Sequence, residues 1–351
     1  MDVQVQAQCI PARFPCLKLH SPSSWTRSFS YMKLHSSALK ARMSIRSRLE
    51  ENFTVLDGLK HLCQPPSHKV WLLDQFGVLH DGQKPYDGAI ETLKLIADTN
   101  VKLIIISNSS RRAESTYKRL ASLGFDTSLF FGVITSGELT HEYLQRRHDP
   151  WFAELGQRCL HITWKERGSI SLEGLDLEVV ENPESADFVL AHGTEALRME
   201  NGDIKSASLD EIEAILSVCA RRNLPLVVAN PDHVTVEARD LKVMPGTLGL
   251  KYENLGGHVQ YMGKPYPVIY QAAAEITGTN FKDMIVVGDS LFHDIQGGAK
   301  NQMNSVFIAG GIHADELSID HIGQMPNLDK LESLFENKDI YPSYVVPSFI
   351  W

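Results

Sequence analysis

Residues 70–82 read VWLLDQFGVLHDG. Four apolar residues, Val70 to Leu73, stop abruptly at Asp74. A run this short and this uniformly apolar has the length of a strand buried on both faces. Open parallel sheets bind ligands in the crevice beyond the carboxyl ends of their strands, and Asp74 stands at such an end. Phe76 follows two positions later. The next residues, His80-Asp81-Gly82, read as a hairpin turn with Asp81-Gly82 supplying its backbone conformation. His80 also has a side chain that titrates near neutral pH, so a proton-donor role stays open beside the turn.

The strand-then-helix unit recurs along the chain. VKLIIIS (101–107), KDMIVVGD (282–289) and SVFIAGG (305–311) read as further buried strands. DGAIETLKLIADTN (87–100) carries Ile90, Leu93, Leu95 and Ile96 at helical spacing, and RRAESTYKRLASLGF (111–125) is a helix that Gly124 stops. VITSGELTHEYLQRR (133–147) repeats the unit, with Ser136 placed as an N-cap. Such alternation implies a parallel sheet covered by helices on both faces.

The middle has its own pattern. CLHITW (159–164), ADFVLAHG (186–193) and LPLVVANPD (224–232) are strands, and SLDEIEAILSVCARRN (208–223) is a helix opened by a Ser208–Glu211 capping box. The expected layout is α/β: a Rossmann-like core of residues 49–145 and 259–351 with a parallel sheet, an α/β cap inserted at 146–258, and a head at 1–48.

At 351 residues, 43% hydrophobic and 22% charged, the chain is long and apolar enough to bury a substantial core. No apolar run approaches the roughly 20 residues of a membrane span, so no membrane partner is expected. The net charge is −9, although residues 1–49 hold eight basic residues against the single acid Asp2. The acidic body that remains does not suit nucleic acid, whose affinity rests on neutralising phosphates. The Ser-rich, basic head reads as a transit peptide to chloroplast or mitochondrion, or else as a basic tail with no targeting role. Translation from Met43 would leave a cytoplasmic form. Cys9, Cys16, Cys63, Cys159 and Cys219 show no CxxC spacing, and the histidines no HExxH pattern, so neither zinc nor a disulfide framework is indicated.

Four polar stations fall at or near strand ends: Asp74; Ser107-Asn108; Lys264 in MGKPYP; and Asp289, with Asp294 five residues on. Each alone has an ordinary reading as a cap, a turn or a solvated lysine. Together, and with the stretches ITSGELTHEYL, ANPD, MPGTLG, GGHVQYMGKPYPVIY and VVGDSLFHDIQGGAKNQMNSVFIAGG, they resemble the haloacid dehalogenase superfamily of hydrolases over about residues 68–313. The match is with its branch of nucleotide-monophosphate and p-nitrophenyl-phosphate phosphatases, whose α/β cap is inserted between the second and third motifs.

The resemblance implies a Mg²⁺-dependent phosphohydrolase of small phosphorylated metabolites that passes through an aspartyl-phosphate. It makes Asp74 the nucleophile. Mg²⁺ would be held by Asp74, Asp289 and the backbone carbonyl of Phe76, with Asp294 orienting Asp289 or a metal-bound water. Lys264 would hold the nucleophile and a phosphoryl oxygen. Ser107 and the amide of Asn108 would donate to the remaining oxygens. In the cap loop ANPDHVTVEARD, Asn230, Asp232 and His233 are candidates to touch the leaving group, against the plainer reading of a turn. Arg111 could contact a phosphate or carboxylate, or simply be solvated.

Phe76 departs from the family pattern, in which an Asp here protonates the leaving oxygen. General acid–base catalysis contributes roughly 10²–10⁴-fold, so slow turnover, or turnover restricted to good leaving groups, is expected. The alternatives are a non-catalytic binder of a phosphorylated metabolite and a dehalogenase. Dehalogenases carry an aromatic residue here, but usually a Tyr, and have usually lost the metal site that Asp289 and Asp294 retain. A subgroup of the capped branch also has an aromatic residue at this position. The glycines of MPGTLG and QGGAK are expected to permit tight turns, and Trp71 and Trp164 to lie in the core. The terminal YPSYVVPSFIW either packs on the core or mediates self-association into a homo-oligomer.

Overall fold

A computed structural model of the chain describes residues 53–64, 68–165, 167, 170–237 and 240–351. The expected targeting head, residues 1–48, lies outside the described residues. In chain order come β1 (Thr54–Val55), β2 (Val70–Leu73), β3 (Lys102–Ser107) and β4 (Phe130–Thr135). The insert then supplies β5 (Arg158–Thr163), β6 (Glu178–Val179), β7 (Phe188–Ala191), β8 (Ala196–Arg198), β9 (Ile204–Ser206) and β10 (Leu226–Val228). A hairpin of β11 (Val234–Glu237) and β12 (Asp240–Val243) follows, then β13 (Val259–Tyr261). The chain returns with β14 (Met284–Gly288), β15 (Asn304–Ile308) and β16 (Tyr344–Val346).

The core sheet has seven strands in the order β1-β16-β15-β14-β2-β3-β4, and every pair is parallel. All four residues of β2 are buried, which is why the sequence there is apolar without alternation. The side chains still alternate between faces. Trp71 and Leu73 join one core with Ile105, Ile285 and Val287, while Val70 and Leu72 join another with Ile104, Ile106 and Val286. Each such side chain contributes roughly 1.5–3 kcal/mol by leaving water. Leu73 pairs with Ile105 on one side and Val287 on the other, so Asp74 leaves the sheet at its centre.

The inserted cap builds a second sheet, β13-β10-β7-β5-β8-β9 with β6 against β5, parallel from β13 to β5 and antiparallel beyond. It takes in Val259–Tyr261, just past the expected bounds of 146–258. Helices Ser136–Arg146 and Pro267–Thr277 lie between the two sheets, sharing a core with Phe188, Leu190 and Val227. Helices Leu209–Arg221 and Pro245–Asn254 cover the far face of the second sheet. The Ser208–Glu211 capping box is present, with the Glu211 amide donating to Ser208 Oγ at 3.3 Å and the Ser208 amide to Glu211 Oε2 at 2.7 Å.

Two local expectations are corrected. The N-cap of Ser136–Arg146 is Thr135, whose Oγ1 accepts from the Glu138 amide at 3.0 Å. Ser136 is the first helical residue, and its hydroxyl donates instead to the Ser107 carbonyl at 3.4 Å. The glycines of MPGTLG and QGGAK lie in helices rather than turns. A Cβ on Gly249 would sit 2.6 Å from the Tyr261 ring, and one on Gly297 2.0 Å from the Tyr270 hydroxyl, so close packing selects them.

YPSYVVPSFIW packs on the core: it forms β16, and Phe349 is buried. Trp71 and Trp164 are buried as expected, the latter donating to Ser110 Oγ at 3.2 Å. Cys63, Cys159 and Cys219 are free. Among the described residues no helix is long and apolar enough to cross a membrane.

Candidate active site

Four segments far apart in sequence meet beyond the carboxyl ends of the central strands. Asp74 follows β2, its amide bonded to the Val287 carbonyl at 2.9 Å. Asp289 follows β14. Asp294 lies in the irregular helical turn Leu291–Ile295, which Ser290 caps by accepting the His293 amide at 3.1 Å. Lys264 comes from the turn after β13. Its ammonium lies 3.0 Å from Asp74 Oδ1 and 2.8 Å from Asp294 Oδ1, and Lys264 and Asp294 are both buried. One oxygen each from Asp74, Asp289 and Asp294 falls within 4.8 Å of the others.

The approach leaves no spare room. Gly77 has φ +83°, and a Cβ there would stand 2.0 Å from Asp289 Oδ2, so only glycine lets the loop after Asp74 close on Asp289. Asp289 Oδ2 also accepts the Ile312 amide at 2.8 Å, and Asp294 Oδ2 the Ser290 amide at 3.2 Å. Asp74 Oδ1 accepts the Gln75 amide at 2.8 Å besides facing Lys264, which leaves Oδ2 with the freer lone pairs.

Charge in this cluster is unbalanced, with three carboxylates against one ammonium. Burial pushes the Asp74 carboxyl up to about 6, with Lys264 pulling it down and Asp294 pushing it up. Burial, then Asp74 and Asp294, push Asp289 well above the usual carboxylate range. Burial disfavours the Lys264 ammonium, but Asp294 and Asp74 outweigh it and hold the group above its ordinary value. An all-oxygen donor set short of positive charge fits a hard divalent cation. The acidic trio can coordinate one.

Ser107 and Asn108 are buried at the end of β3. Ser107 Oγ accepts from Gln75 Nε2 at 3.0 Å and from the Ser109 amide at 3.3 Å, so its own proton remains for another acceptor. The Asn108 side chain clasps the backbone of Lys264, accepting its amide at 2.7 Å and donating to its carbonyl at 3.0 Å. The same Nδ2 donates to Asp232 Oδ1 of the cap loop at 2.8 Å. Asn230 is buried and braces that loop by accepting the Asp232 amide at 2.8 Å. The His233 ring lies 6.5 Å from that of Phe292.

Asp232 Oδ1 is also 3.4 Å from His293 Nε2, and His293 Nδ1 is 3.1 Å from Ser290 Oγ. Burial lowers the His293 pKa and Asp232 draws it back up. Gln75 and His293 were not among the expected site residues. Their only sequence signal is adjacency to Asp74 and Asp294.

Arg111 is exposed. Its backbone carbonyl accepts from Thr135 Oγ1 at 2.6 Å, and no contact of its side chain ties it to the acidic cluster among the described residues. Phe76 is 53% exposed, its ring edge-on to His80 at 6.2 Å. His80 is buried, and burial lowers its pKa. Its Nδ1 accepts the Gly82 amide at 3.0 Å, which places the proton of the neutral ring on Nε2. Asp81 Oδ1 accepts the Gln83 and Lys84 amides at 2.8 Å each, and Gly82 has φ +89°, so this segment is the expected tight turn.

Comparison with known proteins points to the same fold. A profile of haloacid dehalogenase-like hydrolases matches residues 71–177, and a second HAD-hydrolase-like profile matches residues 261–334. The ribonucleotide monophosphatase NagD of Escherichia coli is 26% identical over 277 residues, 78% of this chain and 95% of that protein. An acid sugar phosphatase of Staphylococcus aureus is 25% identical over 251 residues, 70% of this chain and 88% of its own length. The crystal structure of a haloacid dehalogenase-like hydrolase from Brucella suis superposes with a TM-score of 0.63 at 25% identity, covering 84% of this chain and 99% of that one. On this footing the chain is a hydrolase with the haloacid dehalogenase-like fold.

Proposed function

We propose that the protein is a Mg²⁺-dependent phosphohydrolase of small phosphorylated metabolites, with Asp74 as nucleophile. The observation that carries this reading is the convergence of Asp74, Lys264, Asp289 and Asp294, with Lys264 3.0 Å from Asp74 and 2.8 Å from Asp294. That two relatives bear phosphatase names supports it.

Asp74 Oδ2 attacks phosphorus in line as the bond to the leaving oxygen breaks, giving an acyl phosphate on Asp74 that water then hydrolyses. An anion approaching a phosphoryl dianion is repelled, so the site must supply positive charge. Lys264 supplies one unit and fixes Asp74 Oδ1 away from the substrate. The Ser107 hydroxyl and the Asn108 amide donate to phosphoryl oxygens. Asp74, Asp289 and the Phe76 carbonyl would hold Mg²⁺, with Asp294 beside them, and the ion would supply further positive charge against the phosphoryl group.

Phe76 can neither protonate the leaving oxygen nor activate water, so turnover favours groups that depart as anions. The same residue supports a second reading, in which the site binds a phosphorylated metabolite with little turnover. Dehalogenation is the weaker fit, since the acidic trio is intact. The test is a panel of phosphorylated metabolites, with acetyl phosphate and p-nitrophenyl phosphate included, assayed on residues 44–351 with Mg²⁺ and with EDTA. Phosphate release that EDTA abolishes is expected. Tight binding without release would transfer the case to the binder, and halide release in EDTA from a haloacid control to the dehalogenase.

A further inference from the structure

We infer that His293, as a neutral imidazole, donates a hydrogen bond from Nε2 to the oxygen that departs from phosphorus. The inference rests on the phosphohydrolase reading and adds to it a residue for the leaving-group side of the reaction. His293 Nε2 is buried beside the acidic cluster, and no hydrogen bond among the described residues satisfies it. Asp232 Oδ1 stands 3.4 Å off without closing one, and is itself engaged by Asn108 Nδ2 at 2.8 Å. A buried polar atom without a partner is costly, so its persistence at a binding site calls for a partner that arrives with the ligand.

The contacts of Ser290 settle which ring nitrogen carries the proton. Ser290 Oγ accepts the His293 amide at 3.1 Å and lies 3.1 Å from His293 Nδ1. The hydroxyl proton of Ser290 is therefore free for Nδ1 to accept, which leaves the ring proton on Nε2. Burial opposes charging of the ring.

The position of Nε2 suits a departing oxygen. In-line attack by Asp74 puts that oxygen on the far side of phosphorus. Asp74 leaves the carboxyl end of β2, so the far side is the one that the cap loop covers. Nε2 faces that loop through Asp232, while Asp294, next in the chain, binds Lys264 at 2.8 Å. His80 also has a buried Nε2 without a partner, but its printed neighbours, Gly82 and Phe76, lie in the turn after β2 and not in the cap.

The step balances without proton transfer from the protein. The Asp74 Oδ2–phosphorus bond forms as the ester bond breaks, and the electron pair of the ester bond stays on the departing oxygen. His293 Nε2–H stabilises that anion and keeps its own proton, the electrophilic role that a neutral imidazole can fill. Water protonates the alcohol or phenol after release. Phe76 has no proton to give, so this hydrogen bond falls to His293.

The experiment measures kcat/KM with Mg²⁺ on phenyl, p-nitrophenyl and acetyl phosphate for the full chain and for His293→Phe, His293→Gln, Ser290→Ala and His80→Asn, with thermal melts of each. His293→Phe should lose roughly 10–100-fold on phenyl phosphate, the worth of a hydrogen bond to a charged oxygen. It should lose less on the other two esters, whose departing oxygens hold less charge. His293→Gln, which keeps an N–H near the same place, should recover most of the loss. Ser290→Ala keeps the ring but frees its tautomer, and should show the same trend in smaller measure even if His293→Phe fails to fold. His80→Asn should leave the trend unchanged. Inhibition by methyl phosphonate, which has no departing oxygen, should be equal in all. An equal loss on all three esters, or the trend appearing in His80→Asn alone, would overturn the role of His293 and leave the hydrolase standing. No phosphate release by the wild type from any ester would overturn the hydrolase, and this role with it.

Discussion

Restoring a carboxylate at position 76 should widen the substrate range toward alkyl phosphates. In Phe76→Asp the new side chain starts from a backbone already set by the Gly77 amide on the His80 carbonyl at 3.0 Å and the Leu79 amide on the Gln75 carbonyl at 2.8 Å. Phe76 is 53% exposed, so its removal leaves no buried cavity and should cost at most about 1 kcal/mol of stability. A fourth acid joins three already crowded together, which raises its pKa and keeps it protonated, as a proton donor requires. General acid catalysis is worth roughly 10²–10⁴-fold, and a group not shaped by its surroundings should deliver the low end, about 10² or ~3 kcal/mol of barrier. The assay is kcat/KM on glycerol 2-phosphate against p-nitrophenyl phosphate with Mg²⁺, with thermal melts to show that the variant folds. The alkyl-to-aryl ratio should rise about a hundredfold, through protonation of the alkyl leaving group, which the aryl one does not need. A folded variant with an unchanged ratio would refute the assignment of the missing acid to position 76.

Lys264→Met should cost roughly 3–5 kcal/mol at neutral pH, because it strips the cation from the buried Asp294 and the partly buried Asp74, and an unchanged urea midpoint would contradict that. Asp232→Ala should raise KM more than it lowers kcat, since Asp232 joins the cap loop to Asn108 at 2.8 Å without touching Asp74, and steady-state kinetics would show the reverse split if it acted in the chemistry.

Acid should weaken the fold through the buried pair His161 and His192, whose rings meet at 3.0 Å. Burial lowers His192 from 6.5 to about 3 and His161 well below its ordinary value. Depressed histidines are neutral when folded but take up protons when unfolded. Their stabilisation is therefore complete above pH ~6.5 and is lost as pH falls from there toward the folded pKa, about 2 kcal/mol by pH 5 for His192 alone. His192→Asn should flatten the fall in unfolding free energy between pH 7 and 5, and an equal slope in wild type and variant would count against this.

The core sheet was legible because its central strands are buried on both faces, which makes β2, β3 and β14 short apolar runs ending in polar residues. Asp74, Ser107 and Asp289 stand out at those ends. Their meeting with Lys264 was not legible from periodicity, since about 190 residues and a whole second sheet intervene, and came only through the resemblance. Short edge strands carry too few residues for a pattern, so β1 and β16 were not read as strands, and the C-terminal prolines obscured the second. Thr135 and Ser136 are both good N-caps, and only the course of the chain after β3 decides between them. The work of the Asn108 side chain, which grips Lys264 and Asp232 at once, depends on segments more than 120 residues away in the chain. No local signal marks it.

The central claim, that Asp74 takes the phosphoryl group, is tested most directly by mass spectrometry of enzyme quenched in acid during turnover of acetyl phosphate or p-nitrophenyl phosphate with Mg²⁺. A phosphoryl group on the peptide containing Asp74, absent in Asp74→Asn, is the predicted result. Steady phosphate release by Asp74→Asn, or a phosphoryl group found on another residue, would contradict it.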